Sequence, residues 1–415
     1  LLVSSALNSI NSELEEMGEI QGAGKAMILR KITLPLVLPA ILSAVILTFS
    51  KAIGTFGTIN YLGSPVQYYT LSSQLYMNIN SRDTQTGFAM AILMIIIASI
   101  AVFVNQKLIG SRKSYATIGG KGGRSTLIGL GKVGRPVITA ALFVFFAVGI
   151  IMPIVILVME SFMLKEGIYS LDNFTLHYWI GESNPQIMEG LPGIFKNDEF
   201  INSLFNSLRL TLVNGVFGTI FGQLLGYITA KGRGRLHGKL VEQLVFIPYL
   251  IPSVAFGGIY LSMFSQPQQI FGVTLVPALY GTFALLTLVS VVKHLPFAAR
   301  AGTSNMLQIS GELEEAATIE GAGFFRRFVK IVFPLSKGGF ISGFMLIFVS
   351  IMKELDLIIL IMTPTTSTLP YLAFRYQNGN SPQASDCVAI VMFSIVFLVY
   401  AIANLSGKAD LAKSM

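Results

Sequence analysis

Three ionisable residues lie close together in an otherwise apolar stretch, "SIMKELDLIILIM" (350–362): Lys353, Glu354 and Asp356. A charge inside the hydrocarbon core of a membrane is costly, and it normally faces the interior of a helix bundle or a water-filled cavity. Lys353 and Asp356 are three residues apart, so they would pair on one face of a helix. The stretch therefore predicts either the lining of a translocation path or a structural ion pair, and both alternatives stay open.

A second group of charges lies upstream, in "GELEEAATIEGAGFFRRFVKIVFP" (311–334), which carries four acids and three bases around two glycines. Acids in the first turn of a helix are favoured by the helix dipole. Gly321 and Gly323 would end this helix, because glycine readily adopts the left-handed conformation of a C-cap. A second, basic helix follows, and Pro334 opens the next apolar segment. The sequence predicts a rigid charged helix–turn–helix, here called the second elbow (311–334).

The motifs that resemble catalytic or nucleotide sites lack the context that such sites need. "GLGKVG" (129–134) follows a basic linker, whereas a dinucleotide site follows a strand within a βαβ unit. "GGKGGRST" (119–126) lacks the spacing of a phosphate-binding loop. His177, His237 and His294 are far apart in the sequence and match no metal-binding pattern. We therefore expect no enzyme active site, no metal and no bound cofactor in this chain.

The elements that must position these residues are apolar and long. The chain is 53% hydrophobic and 12% charged, with a mean hydropathy of +0.68. Such a composition belongs in a lipid bilayer, where about 20 apolar residues form one helical span. The sequence predicts an all-α polytopic membrane protein with eight spans, at 36–59, 87–109, 136–162, 203–230, 241–264, 274–296, 338–362 and 385–407.

The distribution of charge orients these spans. Basic residues concentrate in loops that alternate with acidic or neutral ones, as the positive-inside rule requires. The loops expected in the cytoplasm are 105–135, 231–240 and 297–335. The loops expected outside are 60–86, 165–200, 265–273 and 363–384. The net charge of +8 is thus explained by orientation in the membrane, and no nucleic-acid partner is expected.

The second elbow has a counterpart near the start of the chain. Residues 13–36 and 312–335 align without a gap at an offset of 299, and 12 of the 24 positions are identical. We call residues 12–35 the first elbow. The repeat predicts two homologous halves, because each copy leads into an apolar span, a short loop and another span. The predicted organisation is the end of the first half (1–110), a basic glycine-rich linker (111–135) and a complete second half (136–415).

The two halves differ in how much of each the chain contains. The second half passes through four predicted spans before its elbow, whereas the first half reaches its elbow almost at once. About four spans of the first half are therefore expected to precede Leu1. Of the eight predicted spans, two belong to the first half and six to the second.

Each elbow has its own capping signals. Ser12 and Glu15 form a capping-box pattern in the first elbow, and in the second Gly311 takes the cap position with Glu314 three residues on. A single elbow could be an amphipathic helix lying on the membrane surface. Two elbows with the same spacing, each before a span, instead favour a paired docking surface for a partner with two equivalent sites.

At this point the sequence resembles the permeases of binding-protein-dependent ABC importers. Their loop signature reads E-A-A, three residues, G, nine residues and I-x-L-P. The matching residues of the second elbow are Glu315, Ala316, Ala317, Gly321 and Pro334, with Phe333 as a departure at the leucine position. Those of the first elbow are Glu16, Gly22 and Pro35, where Met17 and Gly18 replace the alanines. Gly323, and Gly24 in the first elbow, belong to the same expected coupling loop although the signature leaves their position open. The resemblance covers essentially the whole chain.

The resemblance implies a fold, partners and a location. The fold is the MetI-like fold of type I ABC importer permeases. The partners are two cytoplasmic ATP-binding cassette subunits, in whose grooves the elbows would seat, and an extracytoplasmic substrate-binding protein. The location is the bacterial inner membrane, with both elbows and residues 111–135 in the cytoplasm. Catalysis would reside in the ATPase subunits alone.

The substrate is indicated less directly. "MKELDLIILIMTPTTSTLPYLAFRY" (352–376) resembles the K-E-L stretch of permeases in the ferric-iron uptake group, with Asp356 where that group tends to have proline. Iron(III) is therefore the expected substrate, and Lys353, Glu354 and Asp356 are the expected lining of the path. Related permeases carry phosphonates, thiamine, polyamines or sulfate. An ion-coupled secondary transporter is the alternative of another class, since it also uses repeats with charges at the midplane.

Overall fold

The computed structural model describes residue 7 and residues 12–110, 131–187, 190–307 and 309–405. Most of these residues are helical, and the strands of the described part form one two-stranded antiparallel hairpin. The predicted all-α architecture is therefore confirmed.

The first helices carry the first elbow and the segment after it. Their bounds are α1 Ser12–Ile20, α2 Lys25–Ile28, α3 Leu34–Gly54, α4 Gly57–Gly63, α5 Leu71–Asn80 and α6 Thr84–Gly110. A π-helical turn, Leu29–Thr33, joins α2 to α3. Thr70 and Ser73 form a capping box at the start of α5, which satisfies two backbone N–H groups of that helix end.

The middle of the chain contains the longest helix. The elements are α7 Gly131–Phe146, the π-helical turn Ala147–Ile151, α8 Met152–Glu160, α9 His177–Ile180, α10 Asp198–Lys231, α11 Leu236–Leu250, α12 Ser253–Phe264, β1 Gln268–Ile270, β2 Val273–Val276 and α13 Phe283–Met306. Asn197 caps α10 by accepting a hydrogen bond from the Glu199 N–H at 2.9 Å. Of the predicted linker, residues 111–130 lie outside the described part, and residues 131–135 are the first turn of α7.

The last part contains the second elbow and the segment with the membrane charges. Its helices are α14 Gly311–Ile319, α15 Phe324–Arg327, α16 Phe333–Leu335, α17 Lys337–Met352, α18 Leu369–Asn378 and α19 Pro382–Leu405. A π-helical turn, Phe328–Val332, joins α15 to α16. The span predicted at 338–362 is thus helical only as far as Met352.

The number of membrane spans is close to the predicted eight without reaching it. Five helical segments of the described residues are long and apolar enough to cross a membrane, and two bent pairs raise the number to seven. The bends are 98° between α11 and α12 and 75° between the segment Phe324–Leu335 and α17. The predicted span at 36–59 corresponds to α3, of which Ala44–Gly54 is a shorter apolar helix.

Helices α10 and α13 pack at backbone distance, because small residues face each other. A methyl group added at Gly226 would lie 2.5 Å from the Thr303 nitrogen, and one added at Gly222 would lie 2.7 Å from the Ala298 carbonyl carbon. Such glycine contacts are typical of helices that associate within a membrane, where van der Waals packing and interhelical hydrogen bonds replace the hydrophobic effect. The pair forms a rigid support for the segments described below.

The chain divides into two compact units. One consists chiefly of Leu1–Ile53 with Ile96–Ile154, and the other of Gly54–Ile95 with Val155–Ser414. The second unit holds two apolar clusters. The larger cluster joins α10, α12, α13, α17 and residues 357–362, and the smaller one joins α9, α10, α18 and α19. The proposed boundary between homologous halves concerns sequence relatedness and stays a prediction.

Candidate functional site

The two elbows have the same architecture, residue for residue. Helix α14 lies 299 positions after α1, and α15 lies 299 positions after α2. The π-helical turns that follow, Leu29–Thr33 and Phe328–Val332, keep the same offset. A π-helix is rare and occurs mostly as short insertions at functional sites. Its presence in both copies means that the repeat conserves backbone geometry as well as residue identity.

Each elbow turns at a glycine in the left-handed region, with a φ of +81° at Gly22 and +78° at Gly321. The C-cap predicted for Gly321 is therefore present. Gly323 differs from the prediction, since its φ of −66° is ordinary and it serves as the N-cap of α15. Gly24 has the same role before α2, with a φ of −68°. One glycine of each pair ends a helix and the other begins one.

The start of α14 also differs from the prediction. Its N-cap is Ser310, whose side chain accepts a hydrogen bond from the Glu312 N–H at 3.3 Å, and Gly311 is the first helical residue. In the first elbow, Glu15 accepts a hydrogen bond from the Thr33 hydroxyl at 2.6 Å. Glu15 thereby ties α1 to the π-helical turn of its own elbow.

Glu314 attaches the second elbow to a membrane helix. Its carboxylate lies 2.6 Å from Lys231 Nζ and accepts a hydrogen bond from the Tyr227 hydroxyl at 2.6 Å. Burial alone would raise the pKa of Glu314, but the bonds from Lys231 and Tyr227 outweigh burial and hold the pKa below its ordinary value. Lys231 is the last residue of α10, so this link fixes α14 to the end of α10.

The sequence contained a signal for this link. Tyr227 and Lys231 are one turn apart at the end of α10, and they present a hydroxyl and an ammonium group on one face. From the sequence, Glu314 was assigned only to the capping pattern and the helix dipole, because the sequence does not place the two segments side by side.

The predicted docking residues lie mostly on the surface of the elbows. Glu315, Ala316 and Gly321 are exposed, and Ala317 is half-buried. Glu16, Gly22, Gly24 and Pro35 of the first elbow are exposed, as are Gly323 and Pro334 of the second. One equivalent pair was not predicted: Ile20 and Ile319, 299 positions apart, are 85% and 86% exposed. Each elbow therefore presents an apolar side chain at the same point next to its turn.

The charged segment after α17 has a different geometry from the predicted one. The helix ends at Met352, so Lys353 and Asp356 do not share a helical face, and the pairing predicted for these two residues along one helix is not formed. Asp356 Oδ1 instead accepts a hydrogen bond from the Gly57 N–H at 2.9 Å. The prediction was wrong because the apolar run continues through residue 362, which conceals the end of the helix.

Glu354 connects this segment to α13. Its Oε2 lies 3.5 Å from His294 Nε2, and its Oε1 accepts a hydrogen bond from the Leu357 N–H at 2.9 Å. The other ring nitrogen of His294 lies 2.9 Å from the Ser290 carbonyl oxygen. His294 is buried in this contact.

Lys293, the neighbour of His294, is buried to 7% exposure and was not singled out from the sequence. Its ammonium group donates to the Pro248 carbonyl at 2.9 Å and to the Ile251 carbonyl, both at the break between α11 and α12. It also lies 5.3 Å from the centre of the Phe256 ring. Lys293 therefore satisfies carbonyl groups that the 98° bend removes from helical bonding.

A cavity of about 620 Å³ opens beside the segment 353–356. Its polar and charged lining consists of Thr58, Tyr61, Lys353, Glu354, Asp356, Gln377, Ser385 and Asp386. Three carboxylates and one ammonium group thus face one space, which favours positive charge within it. Asp386 was missed, although a single acid in the last apolar span is itself a signal of a functional position. Within the described residues, His, Cys, Asp and Glu form no group of three placed to hold a metal ion.

Comparisons with known proteins agree with this architecture. A family model described as "binding-protein-dependent transport system inner membrane component" matches residues 1–115 and 222–409. A ferric transport system permease protein of Actinobacillus pleuropneumoniae is 22% identical over 408 residues, covering 95% of this chain and 55% of its own length. A sulfate transport system permease protein of Synechocystis sp. is 26% identical over 212 residues, covering 49% of this chain and 71% of its own.

A solved structure has the same fold. The crystal structure of a bacterial ABC transporter involved in the import of alginate matches with a TM-score of 0.51 and 16% identity. The match covers 65% of this chain and 94% of the other. The chain spans just over half the length of the ferric relative, 55%.

Proposed function

Because the chain belongs to the family of binding-protein-dependent transport system inner membrane components, we propose that it is the permease of an ATP-driven importer of iron(III). The predicted fold of an ABC importer permease is confirmed by the likeness to the alginate transporter. The proposal concerns the coupling of the elbows to an ATPase, the path and the substrate.

The observation that carries the proposal is the identity of the two elbows. They share helix bounds, turn glycines and exposed isoleucines at a constant offset of 299. A partner that presents two equivalent grooves would recognise such a pair, and two copies of an ATP-binding cassette subunit provide them. Ile20 and Ile319 would enter the grooves, while Glu16 and Glu315 beside them would stay at the polar rim.

The second elbow is also built to transmit movement. The bonds of Glu314 to Tyr227 and Lys231 make α14 and the end of α10 move together. Helix α10 in turn packs against α13 through Gly222 and Gly226. Closure of the ATPase subunits would therefore reach α13, which carries His294, and through His294 the segment that contains its partner Glu354.

The cavity beside residues 353–356 supports the expected pathway. Lys353, Glu354 and Asp356, the residues predicted to line the path, all face it, together with Asp386. The excess of carboxylates favours a cation over an oxyanion such as sulfate. Since no metal-binding group of three lies in the described residues, the cargo would pass through the cavity without a fixed site, and an extracytoplasmic binding protein would select it.

We place the protein in the bacterial inner membrane, with both elbows and residues 111–135 in the cytoplasm. The chain would bind no cofactor, and ATP and Mg²⁺ would be bound by the ATPase subunits. A permease for sulfate, phosphonate, thiamine or a polyamine is the second candidate; the sulfate relative favours it. An ion-coupled secondary transporter is the third, but it would not need two elbows of identical geometry.

The test is uptake of labelled iron(III) by cells that express the full-length protein with its ATPase and binding protein. An otherwise identical strain carries an ATPase that cannot hydrolyse ATP. Iron entry that depends on hydrolysis is the expected result. ATP-dependent uptake of sulfate without iron would overturn the substrate, and iron entry independent of hydrolysis would favour the secondary transporter.

A further inference from the structure

The hairpin formed by β1 and β2 carries exposed apolar side chains at and beside its tip and lies in an uncharged part of the chain. From 243 to 292 the sequence contains no Asp, Glu, Lys, Arg or His. Within the hairpin, Val273 and Leu275 are more than half exposed, and Phe271 at the tip is fully exposed at 101%. Three apolar side chains thus project from a small element without any charge near them in the sequence.

The tip places an aromatic residue where the backbone disfavours it. Phe271 has a φ of +52° and Gly272 a φ of +78°, so both central residues of the turn are left-handed. A two-residue hairpin turn of this kind prefers Asn-Gly, because a bulky side chain is strained at positive φ. No packing contact offsets this strain, since the ring is exposed. A strained and exposed aromatic residue points to a binding role outside the fold.

The base of the hairpin is fixed to the end of an apolar helix. The N–H groups of Leu279 and Tyr280 both donate to the carbonyl of Phe264, at 3.0 and 3.1 Å. Phe264 is the last residue of α12, and Val276 and Leu279 pack against the larger apolar cluster. The hairpin therefore projects from the point where the bent pair α11–α12 ends, and its position relative to that end is set.

We propose that the hairpin inserts its tip into the lipid headgroup region of the bilayer, with Phe271 as the anchor. Aromatic residues are enriched at membrane–water interfaces, where apolar rings and polar backbone are both accommodated. A surface that docks another protein would instead have a polar rim, with charges that orient the partner. The hairpin carries no charged residue, and its attachment to the end of a membrane helix keeps it near the interface.

The inference is independent of the substrate and of the ATPase. It requires only that the chain spans a membrane, as its family does. Its consequence is mechanical: lipid contact would hold the end of the bent pair α11–α12 at a constant depth while other helices move.

The test uses a nitroxide label on Phe271→Cys in the full chain, reconstituted in phosphatidylcholine liposomes, with Cys387 replaced by alanine. A label on Glu182→Cys, whose side chain is 85% exposed, is the matched aqueous control. Collision of the label with oxygen, which concentrates in lipid, is compared with collision with a water-soluble nickel complex. We expect the oxygen-to-nickel ratio at residue 271 to exceed that at residue 182 several-fold.

Two results would overturn the proposal. One is an equal ratio at the two positions, which would place the tip in water. The other is a label at residue 271 that is water-exposed alone and becomes immobilised when the binding protein is added, which would make the hairpin a protein-docking element. The variant Phe271→Asn suits the turn and therefore separates membrane anchoring from folding. Its thermal midpoint in detergent should equal that of the parent. In liposomes, its hairpin amides should lose the protection from hydrogen exchange that the lipid gives the parent.

Discussion

The main-chain N–H of Gly57 donates to Asp356 Oδ1 at 2.9 Å, and these two residues occupy equivalent positions of the repeat, 299 apart. Equivalent positions of two related halves come into contact only beside the axis that relates them, as in a two-fold interface. Transporters with internal repeats bind their substrates at such an interface. Under the predicted two-half organisation, the bond would lie where the first and second halves meet, beside the candidate path.

Two substitutions at Asp356 separate the contribution of its hydrogen bond from the contribution of its charge. Asp356→Asn keeps an oxygen that can accept from Gly57, whereas Asp356→Leu removes it and leaves a buried N–H without a partner, at a cost of about 1–3 kcal/mol. We expect the Asn variant to keep its thermal midpoint in nanodiscs and to lose most iron uptake, while the Leu variant loses both. Normal uptake by Asp356→Asn would show that the charge does not serve the path.

Two substitutions at Gly321 test whether coupling requires the left-handed turn of the second elbow. Gly321→Val forces a β-branched residue to a φ of +78°, which costs about 1–3 kcal/mol, whereas Gly321→Asn tolerates that conformation. An added Cβ meets nothing within 4 Å, so the two variants differ in backbone strain and not in crowding. We expect the transporter assembled with the Val variant to hydrolyse ATP without taking up iron. The transporter with the Asn variant should retain most of its iron uptake. Equal uptake by both would contradict the coupling role.

The link at Glu314 predicts a pH dependence with a defined sign. The folded pKa of Glu314 lies below its ordinary value of 4.5, so the carboxylate stabilises the attachment of α14 above that pH. The stabilisation is lost as the pH falls through the lowered pKa. The protection factors of the α14 amides, which are corrected for the pH dependence of intrinsic exchange, should therefore fall in acid, and in Glu314→Gln they should be low already at neutral pH.

A substitution of Lys231, which pairs with Glu314, provides the second variant for the hydrogen-exchange experiment. Because its side chain is 37% exposed, Lys231→Met should weaken the attachment by only about 1–2 kcal/mol. Exchange of α14 that is unchanged in both variants would mean that the elbow is held by other contacts.

Lys293 is expected to maintain the bend between α11 and α12. Lys293→Met leaves the carbonyls of Pro248 and Ile251 without this donor, at about 1–3 kcal/mol for each buried group. The thermal midpoint in nanodiscs should fall by several degrees. Lys239→Met, at an exposed position, is the control and should leave it unchanged.

Substitutions of Ile20 and Ile319 test whether the elbows are the docking surface for the ATPase subunits. Ile20→Asp and Ile319→Asp alter exposed positions, so each should leave the thermal midpoint within about 0.5 kcal/mol of the parent. Each should reduce the amount of ATPase subunit that copurifies with the permease, and the double variant should abolish it. Full copurification with the double variant would exclude the elbows as the docking site.

The sequence predicts a structural feature well when neighbouring residues alone determine it. The positive φ of Gly321 follows from turn chemistry, and the elbows follow from the 12 identities of the repeat, so both were predictable. The end of α17 was not, because "LDLIILIM" is apolar in either conformation and the hydrogen bond of Asp356 to Gly57 joins residues 299 apart. Ser310 was overlooked as a cap because Gly311 is the residue equivalent to Ser12, the cap position of the first elbow.

The buried partners escaped prediction for a similar reason. Lys293 lies in a helix that reads as a span, and the carbonyls that it binds belong to Pro248 and Ile251, over 40 residues earlier. Nothing in the local sequence reveals which backbone groups a neighbouring bend will leave open. Long-range pairs of this kind require the packing of helices to be known.

The π-helical turns Leu29–Thr33 and Phe328–Val332 each hold one residue more than an α-helical turn over the same rise. If such a turn relaxed to α-helix, the segment beyond it would rotate by about 100° and shift by about 1.5 Å, the increments of one residue. Each turn lies between the first helices of an elbow and the apolar segment that follows. Under the proposed coupling, the two turns would convert a push on an elbow into a rotation of the segment that follows.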